Sequence, residues 1–469
     1  MKTIRPIILA SLAALTLAVV PVACGSNTST GGSGGESGSV SGGGSGAGSG
    51  GSTGGSSAGS GGSGAGSGGS SAGSGGSSAG SGGATGTGGS SPGSGGSSPG
   101  SGGATGTGGS GAGSGGITGS GGSTTDGVPL PCDILNKAAG NKCVSAHSTV
   151  RVIVPGYTGP LYQVCKGTAS AGPSSCKGTT QDVGSKDGYA DAAVQDTFCA
   201  DGNCTIAKIY DQSGQKNDLE PAPRGGAKGT PDNPADAKAL PVTINGHSAY
   251  GVLIKAGIGY RTGCSGCNIR TGNGMVKGDD PESMYWVTSQ KDLVDGCCFD
   301  YGNAETSSND DGNGTMETLY FGGGVVWGTG YGGKPGPWIM ADLENGLYAG
   351  WENKQDKNIS TNKPLKYDFV TGVLLGDSRE KNGGKGRFAL YGGDATSGTL
   401  QTMYDGIRPE KPGYVPMLKQ GSIILGIGGD NSNGAGGRFY EGAVSAGPVV
   451  SKETLDALQA AIVAAKYGK

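Results

Sequence analysis

The sequence predicts an all-β fold, an antiparallel β-sandwich followed by one C-terminal helix. Short runs of β-branched and aromatic residues recur along the chain, and clusters of Gly, Asn and Asp that favour turns separate them. These runs do not alternate regularly with helical segments, as a parallel α/β fold requires. We expect strands close to 149–154, 250–254, 284–288, 318–321, 338–340, 368–375, 387–391, 422–427 and 438–444.

The N-terminal segment has the features of an export signal followed by a linker. Lys2 and Arg5 precede an apolar run, which predicts a signal peptide over residues 1–23. Cys24 stands where a bacterial lipoprotein would be acylated, although Pro21 replaces the usual leucine, and plain secretion is the alternative. Residues 24–128 are almost entirely Gly, Ser, Ala and Thr, a composition typical of a disordered linker. Residues 129–469 then form one domain-sized block.

The cysteines indicate an oxidising compartment. Of eleven cysteines only Cys24 precedes the block, so an even number remains inside it. Cys297 and Cys298 are adjacent: bonded to each other they make a rigid apolar knob, and otherwise each pairs elsewhere. Spacing leaves the connectivity open but favours the local pairs Cys132 with Cys143, Cys165 with Cys176, Cys199 with Cys204, and Cys264 with Cys267.

Composition argues against several functional classes. The net charge is −3 and no basic patch stands out, so we expect no nucleic-acid partner. The two histidines, His147 and His247, have no partner at zinc-ligand spacing, and we expect structural roles for them and neither metal nor cofactor in the protein. No serine-nucleophile motif stands between a strand and a helix.

Carboxylates are the remaining candidates for chemistry. Glu344 ends a strand-like run in which Asp342 would share its face, because side chains alternate along a strand. Asp430 follows another apolar run. Two carboxylates at strand ends can flank a glycosidic bond, one as nucleophile and one as proton donor. The alternative is that each is an ordinary turn or salt-bridge residue. The aromatic candidates for stacking on a sugar are Trp327, Trp338 and Tyr348, and core packing is the alternative for them.

The block resembles the arabinofuranosidase B type of α-L-arabinofuranosidase, glycoside hydrolase family 54, from about Pro131 to Gly468. The stretches that carry the resemblance are Pro131–Ile134, Cys297–Ser308, Val326–Gly330, Pro337–Leu347 and Ile423–Gly434. The resemblance implies a concanavalin-like sandwich. It also implies an exo-acting enzyme that releases terminal α-L-arabinofuranosyl residues from arabinan, arabinoxylan or arabinogalactan with retention of configuration.

Residue roles follow from the same resemblance. It implies Glu344 as nucleophile and Asp430 as acid/base. It implies that the Cys297–Cys298 disulfide packs against the sugar, and it matches the disulfides Cys132–Cys143 and Cys199–Cys204. The remaining sugar contacts that it implies are Trp327, Asp342, Asn345, Gly346 and Gly429.

Three further expectations concern the setting of the enzyme. Familiar members of the family carry an arabinose-binding trefoil domain, which the resemblance does not reach here, so we expect the linker and an anchor at Cys24 to localise the enzyme. We expect an extracellular or cell-surface monomer without a protein partner. The alternatives are a catalytically inactive surface lectin on the same sandwich, and the same chemistry on galactofuranose or a β-linked pentose.

Overall fold

The computed structural model describes residues 124–125, 127–262, 272–324, 332–333, 335–379 and 383–469. The predicted signal peptide, Cys24 and nearly all of the predicted linker lie outside these residues. The same is true of Trp327, Cys264 and Cys267, so their predicted roles concern parts of the chain outside the described residues.

A seven-stranded antiparallel sheet contains β14, a strand in which every residue is buried. Strands and helices are numbered in chain order. The sheet order is β12–β23–β14–β19–β20–β21, and β3 also pairs with β23. Its strands are β3 (Lys142–Ser148), β12 (Val252–Ile254), β14 (Glu282–Thr288), β19 (Val370–Asp377), β20 (Arg387–Asp394), β21 (Gln401–Gly406) and β23 (Gly437–Ala446).

A ten-stranded antiparallel sheet forms the second layer, in the order β18–β17–β16–β15–β22–β13–β9–β8–β4–β5. Its strands are β4 (Tyr162–Lys166), β5 (Thr179–Val183), β8 (Cys204–Ile209), β9 (Leu219–Pro221), β13 (Tyr260–Thr262), β15 (Asp300–Ala304), β16 (Glu317–Gly322), β17 (Trp338–Asp342), β18 (Leu347–Tyr348) and β22 (Ser422–Leu425).

Three small strand pairs and three helices complete the described structure. The pairs are β1 (Thr124–Thr125) with β2 (Val128–Pro129), β6 (Ser185–Lys186) with β7 (Tyr189–Ala190), and β10 (Pro241–Ile244) with β11 (His247–Tyr250). The first pair begins inside the segment predicted to be linker. The helices are α1 (Pro131–Lys137), α2 (Ala192–Phe198) and α3 (Lys452–Ala464). None of the helices in the described ranges has the length and apolar character needed to cross a bilayer.

The core lies between the two large sheets. Trp286 of β14 is fully buried, and its ring centroid lies 5.0 Å from that of Phe299 and 6.4 Å from that of Tyr301, which belongs to β15 of the other sheet. Such aromatic contacts bury a large apolar area and join the layers. The predicted all-β sandwich with a C-terminal helix is therefore confirmed.

One predicted strand, at 149–154, is wrong. Val150, Val152 and Ile153 are buried, but the backbone bonds mainly to side chains and loops, and its one bridge to a strand joins Arg151 to Tyr189 of β7. Ser148 Oγ accepts hydrogen bonds from the N–H groups of Val150 and Arg151, and Gln212 Oε1 accepts one from Ile153 N–H. These partners satisfy the backbone without a ladder. The strand lies just before this segment, as β3.

The C-terminal helix begins where the sequence predicts. Ser451 Oγ accepts a hydrogen bond from Thr454 N–H, which satisfies one of the free N–H groups of the first turn. Leu455, Leu458 and Ile462 recur at helical spacing and are buried. The helix packs against α1 and β2.

Four disulfides lie within the described residues: Cys132–Cys143, Cys165–Cys176, Cys199–Cys204 and Cys297–Cys298. The first three close short loops, with sequence separations of 11, 11 and 5. The adjacent cysteines are bonded to each other, which resolves the alternative that the sequence left open.

Both histidines have structural contacts. His147 is fully buried, and its Nε2 lies 2.8 Å from the carbonyl oxygen of Asn217, so that nitrogen carries the proton and donates. Its Nδ1 lies 3.1 Å from the Tyr301 hydroxyl. His247 stacks on Tyr189 with ring centroids 4.4 Å apart.

A buried ionic network joins the two sheets. Glu317 of β16 accepts hydrogen bonds from Arg408 at 2.6 Å and from Lys419 at 3.0 Å, and Lys419 also lies 3.2 Å from Glu282 of β14. All four side chains are at most a few per cent exposed. The two cations hold the pKa of Glu317 at about 2 against the opposing effect of burial, whereas burial raises the pKa of Glu282 to about 7.

Candidate active site

A row of residues across five strands of the ten-stranded sheet forms the base of the site. Arg261, Ile424, Gly302, Thr318 and Asp342 are directly paired, one from each of β13, β22, β15, β16 and β17. Directly paired residues lie on the same face of a sheet. The next residue along β15 is Tyr301, which faces the other sheet, so this row lies on the opposite face. We call it the site face.

Glu344 lies in the tight turn between β17 and β18. Leu343 N–H donates to the Gly346 carbonyl at 3.0 Å, and the two residues between them, Glu344 and Asn345, have φ of 59° and 53°. Two successive positive φ values define a type I′ hairpin turn, which normally contains Asn or Gly. A glutamate there is under backbone strain, and strained backbone is concentrated at functional sites.

Neighbouring groups hold the turn in place. Asp342 Oδ1 accepts a hydrogen bond from Glu344 N–H at 3.2 Å, and the Tyr414 hydroxyl donates to the Glu344 carbonyl at 2.8 Å. Strand alternation would put Asp342 and Glu344 on one face only if the run were extended, and this condition is not met, because β17 ends at Asp342. The turn, and not strand alternation, brings the two carboxyl groups to the same side.

The other two residues of the turn have different surroundings. A Cβ atom on Gly346 would lie 2.3 Å from the ring of Tyr348, so no larger residue fits there. Asn345 is exposed, and its Nδ2 donates to Asp310 Oδ1 at 2.8 Å. Asn345 is thus the member of the turn that is available to solvent.

Asp430 lies in a tight loop after β22. Its Oδ1 accepts a hydrogen bond from Ser432 N–H at 3.0 Å, which fixes the side chain against its own loop. Gly428 N–H donates to the Ser432 carbonyl at 2.9 Å and closes the loop. The carbonyl of Asp430 accepts from Ala227 N–H at 3.0 Å. The carboxyl is half-buried, between the dry interior of the site and solvent.

The Cys297–Cys298 disulfide lies between these two loops. Cys297 Sγ is 2.9 Å from Ser432 Oγ on the Asp430 loop, and Cys298 Sγ is 3.5 Å from Asp342 Oδ2 beside the Glu344 turn. A disulfide sulfur has no proton, so it can only accept in these contacts. Cys298 is buried and Cys297 is half-buried, so the pair presents one sulfur toward solvent.

Four buried carboxyl groups are concentrated here: Asp300, Glu305, Asp342 and Glu344. Burial is the main reason that the pKa of Glu344 stands well above its usual value, and the charges of Glu305 and Asp342 add to it. Burial, followed by the neighbouring Glu305, likewise raises the pKa of Asp342. Burial and the adjacent Asp342 raise the pKa of Asp300. Like charges this close cannot all ionise, so the cluster retains protons.

Arg261 is the cation of this cluster. It is fully buried and donates through Nη1 to the Gly429 carbonyl at 2.7 Å and through Nη2 to the Glu305 carbonyl. Burial lowers its pKa to about 10, opposed by Glu305 and Glu344, so it stays charged at neutral pH. Its positive charge lies between two loops and compensates part of the negative charge of the carboxyl cluster.

Cys298, Asp300 and Asp342 each bring one ligand-type atom within 4.8 Å of the others. Metal binding by cysteine requires the thiolate, and here the sulfur belongs to a disulfide. The donors that remain are two carboxyl groups whose pKa values are raised. This trio therefore does not fit a metal centre.

The structure brings together most of the residues singled out in the sequence. The residues on the two loops or on the disulfide between them are Glu344, Asn345, Gly346, Gly429, Asp430, Cys297 and Cys298, and Asp342 lies beside them at the end of β17. Trp327 lies outside the described residues. Trp338 and Tyr348 are buried, so core packing, and not an open stacking surface, is the role that the structure gives them. Tyr348 instead packs edge-on against Trp351 and Tyr414.

Sequence reasoning missed Arg261, Asp300 and Glu305. Asp300 and Glu305 lie in one of the stretches that carry the resemblance, and a buried role was signalled by their apolar neighbours Phe299, Tyr301 and Ala304. The signal for Arg261 was a cation inside a short β-type run. None of the three could be placed in the site without the order of the strands.

Comparisons with known proteins agree with this geometry. The family described as "Alpha-L-arabinofuranosidase B, catalytic" matches residues 131–468. A probable alpha-L-arabinofuranosidase B of Aspergillus fumigatus is 49% identical over 343 residues, which cover 72% of this chain and 62% of that protein. An arabinofuranosidase/β-xylosidase of Trichoderma koningii is 48% identical over 341 residues, 72% of this chain and 63% of that protein. The chain therefore spans somewhat under two thirds of the length of these relatives.

Solved structures give the same result. A glutamine-substituted mutant of a glycoside hydrolase family 54 α-L-arabinofuranosidase, soaked with 4-nitrophenyl α-L-arabinofuranoside, aligns with a TM-score of 0.64 and 44% identity over 72% of this chain and 66% of that chain. An arabinofuranosidase complexed with arabinofuranosyl-α-1,2-xylobiose aligns with the same TM-score, identity and coverage.

Proposed function

Because this chain belongs to the family of alpha-L-arabinofuranosidase B catalytic domains, we propose that it is a retaining, exo-acting glycoside hydrolase that releases terminal α-L-arabinofuranosyl residues. The observation that supports this most strongly is the strained turn that presents Glu344 beside the Asp430 loop, with a disulfide between them. A lectin needs hydrogen-bonding groups and apolar surface, but it has no need of a buried, strained carboxyl group.

The reaction is a double displacement. The Glu344 carboxylate attacks the anomeric carbon while Asp430 protonates the departing glycosidic oxygen. A covalent arabinosyl-enzyme results. Asp430 then removes a proton from water, which hydrolyses the ester and restores Glu344. The half-buried position of Asp430 suits a group that exchanges protons with both the leaving group and water.

The family resemblance, together with the same geometry, supports a set of sugar-contacting residues. The disulfide offers an apolar surface to the ring of the sugar, and Asp342 offers a carboxyl group to its hydroxyls. Asn345 and the backbone at Gly346 and Gly429 border the same space, and we assign them to polar contacts. Trp327 completes this set as an aromatic contact on the strength of the family resemblance.

For the polymer that carries the arabinosyl group, we propose three classes and not a single substrate. Arabinan, arabinoxylan and arabinogalactan side chains all end in the sugar that this site would accept. One solved relative holds arabinofuranosyl-α-1,2-xylobiose, which supports an arabinoxylan-type substrate. Four disulfides support a protein that works outside the cytosol. The lipid tether at Cys24 and the linker remain predictions from the sequence.

The first test is hydrolysis of 4-nitrophenyl α-L-arabinofuranoside with the anomeric configuration of the product followed by NMR. We expect turnover with retention. Glu344→Gln should lower kcat by at least about 10⁴-fold while arabinose binding persists, since removal of a nucleophile leaves the binding contacts in place. Absence of turnover, or clean inversion, would contradict the proposal.

A β-linked xylosyl group is the second candidate substrate, because one relative is named an arabinofuranosidase/β-xylosidase. The same enzyme preparation should be assayed on an aryl β-D-xyloside. A kcat/KM on the xyloside equal to or above that on the arabinofuranoside would make the xylosidase activity the main one.

A further inference from the structure

Arg261 connects the interior of the ten-stranded sheet with the loop that contains Asp430. Its strand, β13, is paired on both sides, so that Arg261 lies opposite Ile424 of β22 and Glu220 of β9. Its side chain is fully buried, and Nη1 donates a hydrogen bond to the Gly429 carbonyl at 2.7 Å. The residue before Asp430 is therefore bonded to a strand that cannot move independently of its neighbours.

This carbonyl determines the backbone position of Asp430. A peptide unit is planar, so the Gly429 carbonyl lies in one rigid plane with the N–H and the Cα of Asp430. The next peptide plane is held as well, because the Asp430 carbonyl accepts a hydrogen bond from Ala227 N–H at 3.0 Å. Ser432 N–H then orients the side chain through Oδ1 at 3.0 Å. Arg261 is thus one of two anchors for the backbone of Asp430.

The other Nη group of Arg261 binds a second carbonyl. Nη2 donates to the carbonyl of Glu305, the residue after β15. The guanidinium is planar and its nitrogens have a fixed spacing, so one side chain holds both carbonyls in a fixed relation. The side chain of Glu305 adds a contact, because a Cβ atom on Gly429 would lie 1.7 Å from Glu305 Oε2. Gly429 is therefore confined between the guanidinium and the Glu305 carboxyl group.

The Glu344 turn has different anchors. The Tyr414 hydroxyl donates to the Glu344 carbonyl at 2.8 Å, and Asp342 Oδ1 accepts from Glu344 N–H at 3.2 Å. Within the described part of the chain, the side-chain hydrogen bonds of Arg261 go to Gly429 and Glu305 and not to this turn. Loss of the guanidinium should therefore displace Asp430 and leave Glu344 in place.

We propose that Arg261 is a positioning residue for Asp430, and that it holds the Asp430 carboxyl group within reach of the glycosidic oxygen. This inference rests on the proposed function, which assigns the acid/base role to Asp430. Proton transfer requires a heavy-atom distance of about 2.6–3.2 Å, so a small shift of the loop impairs it. Attack by Glu344 tolerates that shift when the leaving group departs without a proton.

The dependence of kcat/KM on the leaving group tests the proposal. 2,4-Dinitrophenolate departs without protonation, whereas 4-methoxyphenol needs a proton from Asp430. In Arg261→Met, kcat/KM on 4-methoxyphenyl α-L-arabinofuranoside should fall about 10²-fold, the cost of a misplacement of about 1 Å. On the 2,4-dinitrophenyl substrate it should fall less than about threefold. The ratio of the two values comes from one preparation, so it does not depend on the fraction of enzyme that is folded.

Three further variants calibrate this ratio. Asp430→Ala removes the acid itself and should show the same dependence on the leaving group more strongly. Tyr414→Phe removes an anchor of the Glu344 turn and should lower both values by the same factor. Arg408→Met replaces another fully buried arginine, which binds Glu317, and should lower Tm while the ratio keeps its wild-type value.

Rescue by azide gives a second readout. Azide attacks the anomeric carbon of the arabinosyl-enzyme and releases the Glu344 carboxylate. It has no proton to lose, so this step needs no base, whereas attack by water does. Azide should raise kcat of Arg261→Met on the dinitrophenyl substrate, with arabinofuranosyl azide as the product, and should leave the wild-type kcat nearly unchanged. The absence of any gain in the variant would count against the proposal.

Arg261→Lys keeps the positive charge but replaces the two Nη donors by one ammonium group, and it should shift the ratio in the same direction. This variant decides if Arg261→Met does not fold. A deciding variant with the wild-type ratio would overturn the proposal even though the wild type hydrolyses both substrates with retention. An inactive wild type, or a wild-type ratio in Asp430→Ala, would instead contradict the proposed function and this inference with it.

Discussion

Several contacts hold the single residue Glu344 in a strained turn conformation. A non-glycine residue with positive φ in a tight turn costs about 1–3 kcal/mol, and Asn345 adds a smaller cost of the same kind. The hydrogen bonds from Tyr414 and to Asp342, together with the fit of Gly346 against Tyr348, hold the turn in this form. The sequence indicated the residue and its importance, but its turn conformation could not be read from alternation.

The close approach of Gly429 and Glu305 gives a prediction at the same scale. In Gly429→Ala the new methyl group would meet Glu305 Oε2 at 1.7 Å, so either the Asp430 loop or the Glu305 carboxyl must shift. A displacement of about 1 Å in a catalytic group costs about 10²-fold. We expect kcat/KM on the aryl arabinofuranoside to fall by at least that factor. Full activity would show that the two loops adapt freely.

Gly184→Ala is the matched control for this change. No heavy atom lies within 4 Å of a Cβ built on Gly184, and its φ is not in the left-handed region. The substitution should leave kcat/KM within about twofold and should not lower the free energy of unfolding, because Ala restricts the unfolded chain more than Gly.

At the scale of elements, strands with strong apolar character were predictable, and strands made of small or polar residues were not. β14, β19, β20 and β23 lie close to their predicted positions because each contains a run with β-branched, aromatic or other apolar residues. β15 reads Asp-Tyr-Gly-Asn-Ala, which resembles a turn in composition, yet it is central in its sheet. One of its polar residues, Asn303, has a tertiary partner, because its side chain donates to the Val276 carbonyl at 2.9 Å. Such long-range partners are not visible in a local pattern.

The buried ionic network between the sheets is also an element-scale feature. Lys419 connects Glu317 of β16 with Glu282 of β14, and all three side chains are dry. Lys419→Met would leave two buried carboxylates with one cation, Arg408. Loss of one partner of a buried ion pair costs about 3–5 kcal/mol. We expect a decrease of that size in the free energy of unfolding in urea at pH 7.

The pKa of Glu317 predicts how the stability difference between the wild type and Lys419→Met changes with pH. The folded-state pKa of Glu317 is depressed to about 2, so its contribution is complete above its unfolded pKa and is lost as the pH falls toward 2. The wild-type advantage over Lys419→Met should therefore shrink in acid. Lys291→Met, which removes the exposed ion pair with Asp368, should cost no more than about 1 kcal/mol. Equal costs for the two variants would contradict the structural role of the network.

At the scale of the whole molecule, the class of fold and the order of the segments along the chain could be predicted from the sequence. The assembly of the site could not, because it depends on which strands pair. Arg261, Glu305, Asp342 and Asp430 are far apart in the chain, and they meet because β13, β22, β15, β16 and β17 are neighbours in one sheet. Non-consecutive pairing such as β15 with β22 brings residues more than a hundred positions apart into one row. The order of the strands in the sheet cannot be predicted from composition or periodicity.

Two disulfides of this molecule have different roles: Cys132–Cys143 stabilises the fold, and Cys297–Cys298 shapes the site. Measurements of unfolding and of kinetics can distinguish the two roles. Cys132–Cys143 closes a loop with a sequence separation of 11, and cross-linking such a loop stabilises the folded chain by about 3 kcal/mol through the unfolded state. Cys297–Cys298 has a separation of 1 and constrains almost nothing distant. Replacing Cys132 and Cys143 by Ala should therefore lower the free energy of unfolding by about 3 kcal/mol and leave KM unchanged.

Replacing Cys297 and Cys298 by Ala should raise KM and leave the free energy of unfolding almost unchanged. The Ser432 and Asp342 contacts of the sulfurs lie between the two catalytic loops, so their loss should raise KM on the aryl arabinofuranoside about tenfold or more. The free energy of unfolding should change by less than about 1 kcal/mol, since no long loop is released. Urea unfolding and steady-state kinetics on the two double variants decide the matter. A Cys297/Cys298 variant that unfolds as readily as the Cys132/Cys143 variant would make the adjacent disulfide a structural cross-link instead of part of the pocket.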